Sequence, residues 1–363
     1  MSTENPWLTA RNLLVVRMDN AGDIVMLGPA LRAIKSASPD ARITLLASPA
    51  GTRAAVLVPW IDDVITWRAV WQDLGHLPFD PPRERELIDL LAKRQFDAAV
   101  IFTSFSQTPH VPGYVCYLAG IPLRAGESHE FGGASLSHEF RGLADEMHQV
   151  DRNLHLVEHL GFIPGDRSLA VMIPPACHAS VAVCLERLGI GAADQVAVLH
   201  PGASARARRY PAERYGEIAA MLLERGWRVL LTGSERETDQ LDAVCTAAGQ
   251  TLPRLTDLSI LEYAALIERS QVVVCGNTLP MHLADATGTP VVALYSGTDE
   301  ISQWRPRRVP ARILQRPVPC SPCYLFECPI GTPCLDIAPA DVMLSIEALV
   351  TPTDVAVPRE VMA

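Results

Sequence analysis

The features that would place this 363-residue chain in several other protein classes are missing. Its net charge is −10, so it lacks the basic face of a general nucleic-acid-binding protein. No stretch approaches the roughly 20 apolar residues that a membrane-spanning helix needs. The first seven residues contain no basic segment followed by an apolar core, so they do not resemble a signal peptide. These absences predict a cytoplasmic protein whose contact with a membrane, if it makes one, is peripheral.

The chain also lacks a Gly-x-Gly-x-x-Gly motif after its first predicted strand, which argues against a dinucleotide oxidoreductase. That strand, over 12–17, contains an apolar run typical of burial on both faces, and a helix is predicted over 24–37. Between them, Gly22 allows a sharp turn and Asp23 stands at the start of the helix. Ligands of open α/β sheets bind outside the carboxyl ends of the strands. The residues alone leave two roles equally open for Asp23: catalysis, or accepting hydrogen bonds from the free N–H groups at the helix start.

Predicted strands and helices alternate along the chain in two series, and proline- and glycine-containing segments at 163–166 and 174–175 separate them. Such alternation predicts parallel sheets covered by helices. The chain is long enough for two domains, each with its own core. We therefore predict an α/β fold with two Rossmann-like domains, at residues 1–175 and 176–363, whose parallel sheets face a central cleft.

Two loops in the second half carry residues suited to a nucleotide. The first contains Ser204 in a turn of small residues, followed by three arginines that include Arg208 and Arg209. Guanidinium groups hold phosphate oxygens through several donors, although a solvated basic loop is the alternative. In the second loop, Glu237 could accept hydrogen bonds from ribose hydroxyls. Glutamate is also common at helix N-termini because it interacts favourably with the helix dipole, so this signal is weak alone.

A third loop joins a predicted strand over 271–275 to a helix. Thr278 suits the N-cap position and Pro280 suits the first helical turn. The N–H groups at such a helix start favour a phosphate, and His282 lies within one turn of them. A histidine in a helix is more often simply packed, but the loop around it favours a functional role.

Nine cysteines are unevenly distributed, and four of them fall within fifteen residues: Cys320, Cys323, Cys328 and Cys334. In a chain expected to be cytoplasmic, such a cluster indicates metal or redox chemistry before disulfides. A Cys-x-x-Cys pair can bind one ion, and two further thiolates can complete a tetrahedral site for zinc or iron. Reduced core thiols, or two disulfides in an exported protein, are the alternatives.

These motifs together resemble glycosyltransferase family 9, the ADP-heptose:lipopolysaccharide heptosyltransferases. The resemblance spans about residues 12–349, and it rests on the order and spacing of several motifs rather than on any one of them. They are the Gly22-Asp23 opening with 29–33 after it, the helix start at 148–153, the small-residue turn 201–204, the run 208–211 and the Thr278-x-Pro-x-His282 segment.

The resemblance implies a GT-B fold, with an N-terminal acceptor-binding domain and a C-terminal nucleotide-sugar-binding domain. It implies an inverting transfer of a heptose or similar sugar from an ADP-sugar, without a catalytic metal. The acceptor would be lipopolysaccharide or another lipid-linked or surface glycan at the inner membrane face, and nucleic acid would not be a partner. Similar cysteine clusters occur in some family members away from the cleft, which favours a structural zinc or iron.

The resemblance also implies residue roles. Asp23 would be the general base, which favours its catalytic over its capping interpretation, and Arg208 would stabilise the departing diphosphate in place of the usual lysine. The remaining matched positions would bind the nucleotide sugar: Gly22, Ser204, Arg209, Glu237, Leu258, Thr278, Leu279 and His282.

Three departures from the family pattern concern the donor side. Asn277 replaces an acid, Leu279 replaces a glycine where backbone should approach phosphate, and Tyr210 replaces a tryptophan. These changes leave a second interpretation open, a non-catalytic relative that binds a nucleotide sugar without turning it over.

Overall fold

The computed structural model describes residues 5–73 and 75–350, so the outer ends of both predicted domains lie outside the described residues. The chain forms two compact units. The first comprises Met1–His178 with the short segments Ser259–Ala264 and Glu300–Arg307. The second comprises Ala179–Leu258, Ala265–Asp299 and the chain from Arg308 onward.

The first unit is built on a parallel sheet whose strands are rich in buried aliphatic residues. In chain order, its strands are β1 (Asn12–Arg17), β2 (Arg42–Ala47), β3 (Asp63–Thr66), β4 (Ala98–Ile101), β5 (Leu123–Glu127) and β6 (His138–Phe140). Their spatial order is β3-β2-β1-β4-β5-β6. Val15 of β1 is opposite Leu45 on one side and Val100 on the other, so both edges of β1 are paired. This strand is central, and burial on both faces explains its apolar run.

The second sheet repeats this plan. Its strands are β7 (Val196–His200), β8 (Arg228–Thr232), β9 (Arg254–Leu255), β10 (Val272–Gly276), β11 (Val291–Leu294) and β12 (Ala311–Leu314). They are all parallel, in the order β12-β11-β10-β7-β8-β9.

Thirteen α-helices are present in the described part of the chain. They are α1 (Pro6–Thr9), α2 (Ala21–Ala37), α3 (Pro49–Thr52), α4 (Pro81–Arg94), α5 (His110–Leu118), α6 (Gln149–His159), α7 (Pro175–Arg187), α8 (Ala212–Glu224), α9 (Thr238–Ala247), α10 (Ile260–Arg269), α11 (Leu279–Thr287), α12 (Ile301–Trp304) and α13 (Pro339–Val350). In the second unit, buried residues such as Leu222, Val244 and Ile346 pack from α8, α9 and α13 onto the strands. Between residues 5 and 350, leaving residue 74 aside, no helix has the length and apolarity needed to cross a membrane.

Each sheet has the Rossmann strand order, in which the chain runs outward over three strands and then returns to the other side of the first. The order reverses between β1 and β4 in the first unit, and between β7 and β10 in the second. Ligands of such sheets bind at this switch point, outside the carboxyl ends of the strands. The predicted α/β class and the two Rossmann-like sheets are confirmed.

Candidate functional site

Asp23 lies in the first turn of α2, just beyond the carboxyl end of β1. The predicted turn at Gly22 was wrong, because α2 already begins at Ala21 and Gly22 is buried within its first turn. The reason is a capping box, in which the Asp23 carboxylate accepts the N–H of Asn20 at 3.2 Å through Oδ2. Asp23 therefore does accept a hydrogen bond at the helix start, the alternative to catalysis that its sequence left open, but it uses only one of its two carboxylate oxygens for this contact.

The other oxygen of Asp23 is bound by a buried arginine. Arg17, the last residue of β1, has a side chain with 0% exposure, and its Nη2 lies 2.7 Å from Asp23 Oδ1. Its Nε lies 2.9 Å from Asp19 Oδ2, and Nη2 also donates to Ser104 Oγ at 2.9 Å. Burial lowers the pKa of Arg17, but the charges of Asp19 and Asp23 outweigh this effect and the pKa is raised. Arg17 therefore stays charged, held between two carboxylates.

Asp19 is the second carboxylate of this group. Its Oδ1 accepts hydrogen bonds from Gln72 Nε2 at 3.0 Å and from Gln107 Nε2 at 2.6 Å. Burial raises the pKa of Asp19, Arg17 opposes the shift, and the nearby charge of Asp23 adds to it. Asp19 was not predicted as a site residue from the sequence, and its two glutamine partners lie 53 and 88 positions further along the chain. The available signal was an acid two residues after a buried strand that ends in arginine.

In the second unit, Arg208 follows β7 in a short 3₁₀ turn, Arg206–Arg208. Its Nε donates to Thr298 Oγ1 at 3.1 Å, and its Nη2 lies 2.7 Å from Asp299 Oδ2. The Arg208 side chain is 27% exposed, so it pairs with Asp299 and still reaches solvent. Asp299, which no sequence motif pointed to, is 91 residues away in the loop after β11.

The loop after β7 is shaped by two further contacts. Arg209 donates from Nε to the carbonyl of Ala203 at 2.9 Å, which ties the loop to itself, while Ser204 is exposed. A Cβ atom on Gly202 would lie 2.1 Å from Glu237 Oε1, so only glycine lets Glu237 approach this loop. Glu237 also accepts hydrogen bonds from the Ser234 N–H and hydroxyl, at 2.7 and 2.9 Å, and so caps its own helical turn.

The third loop begins where β10 ends at Gly276. Thr278 is the N-cap of α11, as the sequence predicted, but its side chain makes no hydrogen bond to the helix N–H groups. The Asn277 amide donates to Asp299 Oδ2 at 3.3 Å, so a carboxylate lies beside the position where the family commonly has an acid. Leu279 is half-buried and His282 is buried in the first turns of α11. The Thr278 side chain leaves this helix start uncapped, which favours anion binding, while the Met281 N–H donates to the Thr278 carbonyl at 3.1 Å.

The structure thus brings the predicted donor-side residues onto three loops, after β7, β8 and β10, which are neighbours in the sheet. The first and third loops meet at Gly276, where a Cβ atom would lie 3.1 Å from the Arg208 carbonyl. Leu258 is half-buried and lies apart in sequence, two residues before α10.

The four clustered cysteines are spread from surface to core. Cys320 is exposed, Cys323 and Cys328 are half-buried, and Cys334 is buried in the core of the second unit. All four are free thiols. Within residues 5–73 and 75–350, no three histidine, cysteine or acidic side chains are placed to hold a metal ion. As arranged, these thiols do not fit the predicted zinc or iron, and the metal site is not confirmed.

Comparison with known proteins points to a single family. The family model of glycosyltransferase family 9 (heptosyltransferase) matches residues 86–332. Lipopolysaccharide heptosyltransferase 2 of Escherichia coli K12 is 26% identical over 296 residues, which cover 78% of this chain and 82% of that protein. Lipooligosaccharide heptosyltransferase 2 of Haemophilus influenzae is 23% identical over 299 residues, covering 79% and 84%.

Solved structures show the same fold. A family 9 glycosyl transferase from Veillonella parvula has a TM-score of 0.75 at 18% identity, covering 94% of this chain and 97% of its own. The E. coli ADP-heptose lipopolysaccharide heptosyltransferase II has a TM-score of 0.73 at 21% identity, covering 93% and 98%. These likenesses confirm the predicted GT-B fold. With a family match over more than half of its length, the chain belongs to glycosyltransferase family 9, the heptosyltransferases, and is a glycosyltransferase.

Proposed function

We propose that this chain is an inverting glycosyltransferase that moves a heptose or similar sugar from an ADP-sugar to a lipopolysaccharide or another surface glycan, with Asp23 as general base. The observation that carries the proposal is the Asp23 carboxylate, 13% exposed at the switch point of the first sheet. A carboxylate offers about four lone-pair sites. Arg17 and the Asn20 N–H use two of them, which leaves room for an acceptor hydroxyl.

The substrates are inferred from the relatives. One E. coli heptosyltransferase, WaaC, has been solved with ADP and with ADP-2-deoxy-2-fluoro heptose, and the curated relatives are named for lipopolysaccharide or lipooligosaccharide. On this basis we assign the nucleotide sugar to the second unit and the acceptor to the first. The acceptor would be lipid-linked, and the enzyme would work in the cytoplasm at the inner membrane face.

In the proposed reaction, an oxygen of Asp23 takes the proton of the acceptor hydroxyl as the hydroxyl oxygen attacks the anomeric carbon. The bond from that carbon to the diphosphate oxygen breaks, and ADP leaves with the electron pair. One displacement inverts the configuration at the anomeric carbon. Arg17 holds the base by its 2.7 Å contact, so the carboxylate is oriented before the acceptor arrives.

On the donor side, we propose that Arg208 stabilises the charge that develops on the diphosphate. The N–H groups at the start of α11 suit a phosphate because the side chain of Thr278 does not cap them. Glu237 would accept hydrogen bonds from ribose hydroxyls through the lone pairs that Ser234 leaves unused, and Leu258 would contact adenine. Gly22, Ser204, Arg209, Leu279 and His282 complete the proposed nucleotide-sugar site.

A second candidate function is nucleotide-sugar binding without turnover. Two observations favour it: Arg208 is already paired with Asp299, and Leu279 places a side chain at the start of α11 where the family has glycine. Binding of ADP with no transfer to any acceptor would support this candidate.

The test is an assay of nucleotide release from ADP-, GDP- and UDP-sugars with purified protein and its Asp23→Asn variant. Asparagine is nearly isosteric and still accepts the Asn20 N–H, so the fold and ADP affinity should be kept. Turnover should fall by about 10²-fold or more, the scale of acid–base catalysis. Turnover within a few-fold of wild type would remove Asp23 from the mechanism.

The matched control is Glu262→Gln. Glu262 caps the start of α10 by accepting the Ser259 N–H and hydroxyl, at 2.9 and 2.7 Å, and it is not among the proposed site residues. Loss of a capping carboxylate alone should leave turnover unchanged. Equal losses of turnover in the Asp23→Asn and Glu262→Gln variants would show that the loss comes from removing a helix-capping carboxylate and not from removing the base.

A further inference from the structure

A closed ring of polar contacts joins the ends of β1 and β4 in the first unit. Arg17 Nη2 donates to Ser104 Oγ at 2.9 Å, and the Ser104 N–H donates to Gln107 Oε1 at 2.8 Å. Gln107 Nε2 donates to Asp19 Oδ1 at 2.6 Å, and an ion pair between Asp19 Oδ2 and Arg17 Nε, 2.9 Å apart, closes the ring. Asp23 is attached to this ring through Arg17.

From this ring we infer that Asp19 is a positioning residue for Asp23, which it serves by fixing the orientation of the Arg17 guanidinium. The inference rests on the proposed function, because it gives Asp19 a role only through the proposed base. It adds to that function a residue to which the motifs of the sequence assign nothing.

The geometry of Arg17 explains why a second acid matters. With Asp19 at Nε, Arg17 reaches Asp23 through Nη2 alone and contacts Oδ1 alone. Nε and Nη1 of Arg17 are buried and donate no hydrogen bond to any described residue, so the charge of Asp19, 2.9 Å from Nε, is what holds this edge of the guanidinium in place. Without that charge, the ion pair would be lost. Arg17 would then turn to bind Asp23 with two nitrogens, since the bidentate arginine–carboxylate contact is the strong arrangement. The second contact would occupy a lone pair that the acceptor hydroxyl needs.

Asp19 is itself held in one orientation. Gln72 and Gln107 both donate to Oδ1, which leaves Oδ2 for Arg17. Placing a second carboxylate here costs free energy through desolvation. Neutralising Arg17 does not require it, because Asp23 already pairs with that residue. The contacts that Asp19 makes in the ring, rather than the need to neutralise Arg17, explain why an acid is present at this position.

The contacts of Asp19 favour a positioning role over a catalytic one. Its Oδ1 already accepts from two glutamines, and its Oδ2 is paired with Arg17. Asp23 has fewer partners, an ion pair on one oxygen and one backbone N–H on the other. We therefore assign the base to Asp23 and the orientation of Arg17 to Asp19.

The experiment is a double-mutant cycle on kcat with Asp19→Asn and Asp23→Asn, each measured with the donor and acceptor that the wild type turns over. Asp19→Asn alone should lower kcat by roughly 10- to 100-fold, the scale for a misplaced reacting group, with the donor KM unchanged within about 2-fold. In the Asp23→Asn background it should have no further effect, since both residues act on one step.

Two further variants separate positioning from folding. Gln107→Leu removes one donor to Asp19 while keeping most of the side-chain volume, and it should lower kcat several-fold in the wild-type background only. Asp97→Asn is the matched control, because Asp97 accepts the Arg11 and Asn12 N–H groups at the opposite end of β1 and should leave kcat unchanged.

The outcomes distinguish the two proposals. If Asp23→Asn lowers kcat by about 10²-fold while Asp19→Asn leaves kcat unchanged, or lowers it by the same factor in both backgrounds, the inference about Asp19 is overturned and the proposed base stands. A lower melting temperature with unchanged kcat would also overturn it. Wild-type turnover in Asp23→Asn would overturn both.

Discussion

The two sheets have the same strand order, but they gather different chemistry at their switch points. In the first unit, the strand itself ends in a buried charge, Arg17, and side chains from two loops close around it. In the second unit, the strand ends lead into loops of small residues, where Gly202 and Gly276 let Glu237 and the Arg208 backbone approach closely.

This difference matches the role proposed for each site. A general base must be one carboxylate in one orientation, and the paired charges around Arg17 hold it there. A diphosphate needs several donors and close backbone approach, which small residues and an uncapped helix start offer. The shared strand order therefore determines where each candidate site lies, and the residues at the strand ends determine its chemistry.

The largest effect should come from removing the central charge of the first unit. Arg17→Met leaves Asp19 and Asp23 without their shared cation, and breaking a buried pair in this way costs about 3–5 kcal/mol of unfolding free energy. Denaturant unfolding followed by tryptophan fluorescence measures this loss. Five of the six tryptophans belong to the first unit, so the signal reports mainly on that unit.

Arg208→Met is the comparison in the second unit, followed by far-UV circular dichroism. Because Arg208 is partly exposed and Asp299 keeps contacts with Thr298 and Asn277, the loss should be less than about 2 kcal/mol. Equal losses at Arg17 and Arg208 would contradict the proposed contrast between the two switch points.

The next effect concerns pH, and the two units should respond in opposite directions. In the first, burial raises the pKa of Glu127 to about 8, against an opposing effect of Arg152. Between pH 4.5 and 8 the folded state holds a proton that the unfolded state has lost, so this group's contribution to stability falls as pH rises. In the second, burial lowers the pKa of His200 to about 4, and its contribution falls as pH drops from 6.5 to 4.

Glu127→Gln should remove the alkaline loss, with a gain of a few kcal/mol at pH 8 relative to wild type, while leaving the acid side unchanged. His200→Gln should remove part of the acid loss only. Unfolding midpoints measured from pH 4 to 9 check both variants. An unchanged alkaline slope in Glu127→Gln would mean that another group titrates there.

A smaller effect is expected on ligand affinity. If Arg208 contacts phosphate, Arg208→Ala should weaken ADP binding by about 10-fold or more, the worth of a charge-assisted hydrogen bond, and adenosine binding much less. Isothermal titration calorimetry with both ligands measures the difference. Equal weakening of both would mean that the phosphate position is misassigned.

How far the sequence could predict these sites depends on the distance between partners along the chain. Short-range signals worked: the strand before Asp23, the N-cap at Thr278 and the alternation of strands and helices are all read from neighbouring residues. The start of α2 was placed three residues late, because the capping box that begins it uses Asp23, which had been assigned to a turn.

Long-range pairings were beyond the sequence. Arg17 is an ordinary strand end until folding brings Ser104, 87 positions away, against it. Asp299 is unremarkable in its own loop and becomes part of the site only through Arg208 and Asn277. The segments at 259–264 and 300–307 belong to the first unit although they lie more than 80 positions beyond its main segment, which ends at His178.

The smallest effect is expected for the cysteine loop, residues 320–334 of the second unit. This loop packs near the candidate site of that unit, because Cys323 donates its N–H to the Gly297 carbonyl, two residues before Asp299. The free-thiol arrangement predicts that a thiol reagent modifies exposed Cys320 at once, while Cys334 in the core reacts only after unfolding. A chelator should change neither rate, and ADP affinity should stay the same after modification of Cys320.

The measurement is mass-spectrometric labelling over time, with elemental analysis of protein purified without chelator. Near-stoichiometric zinc or iron, with Cys320 protected until a chelator is added, would show instead that the four cysteines converge on a metal, as their spacing predicted.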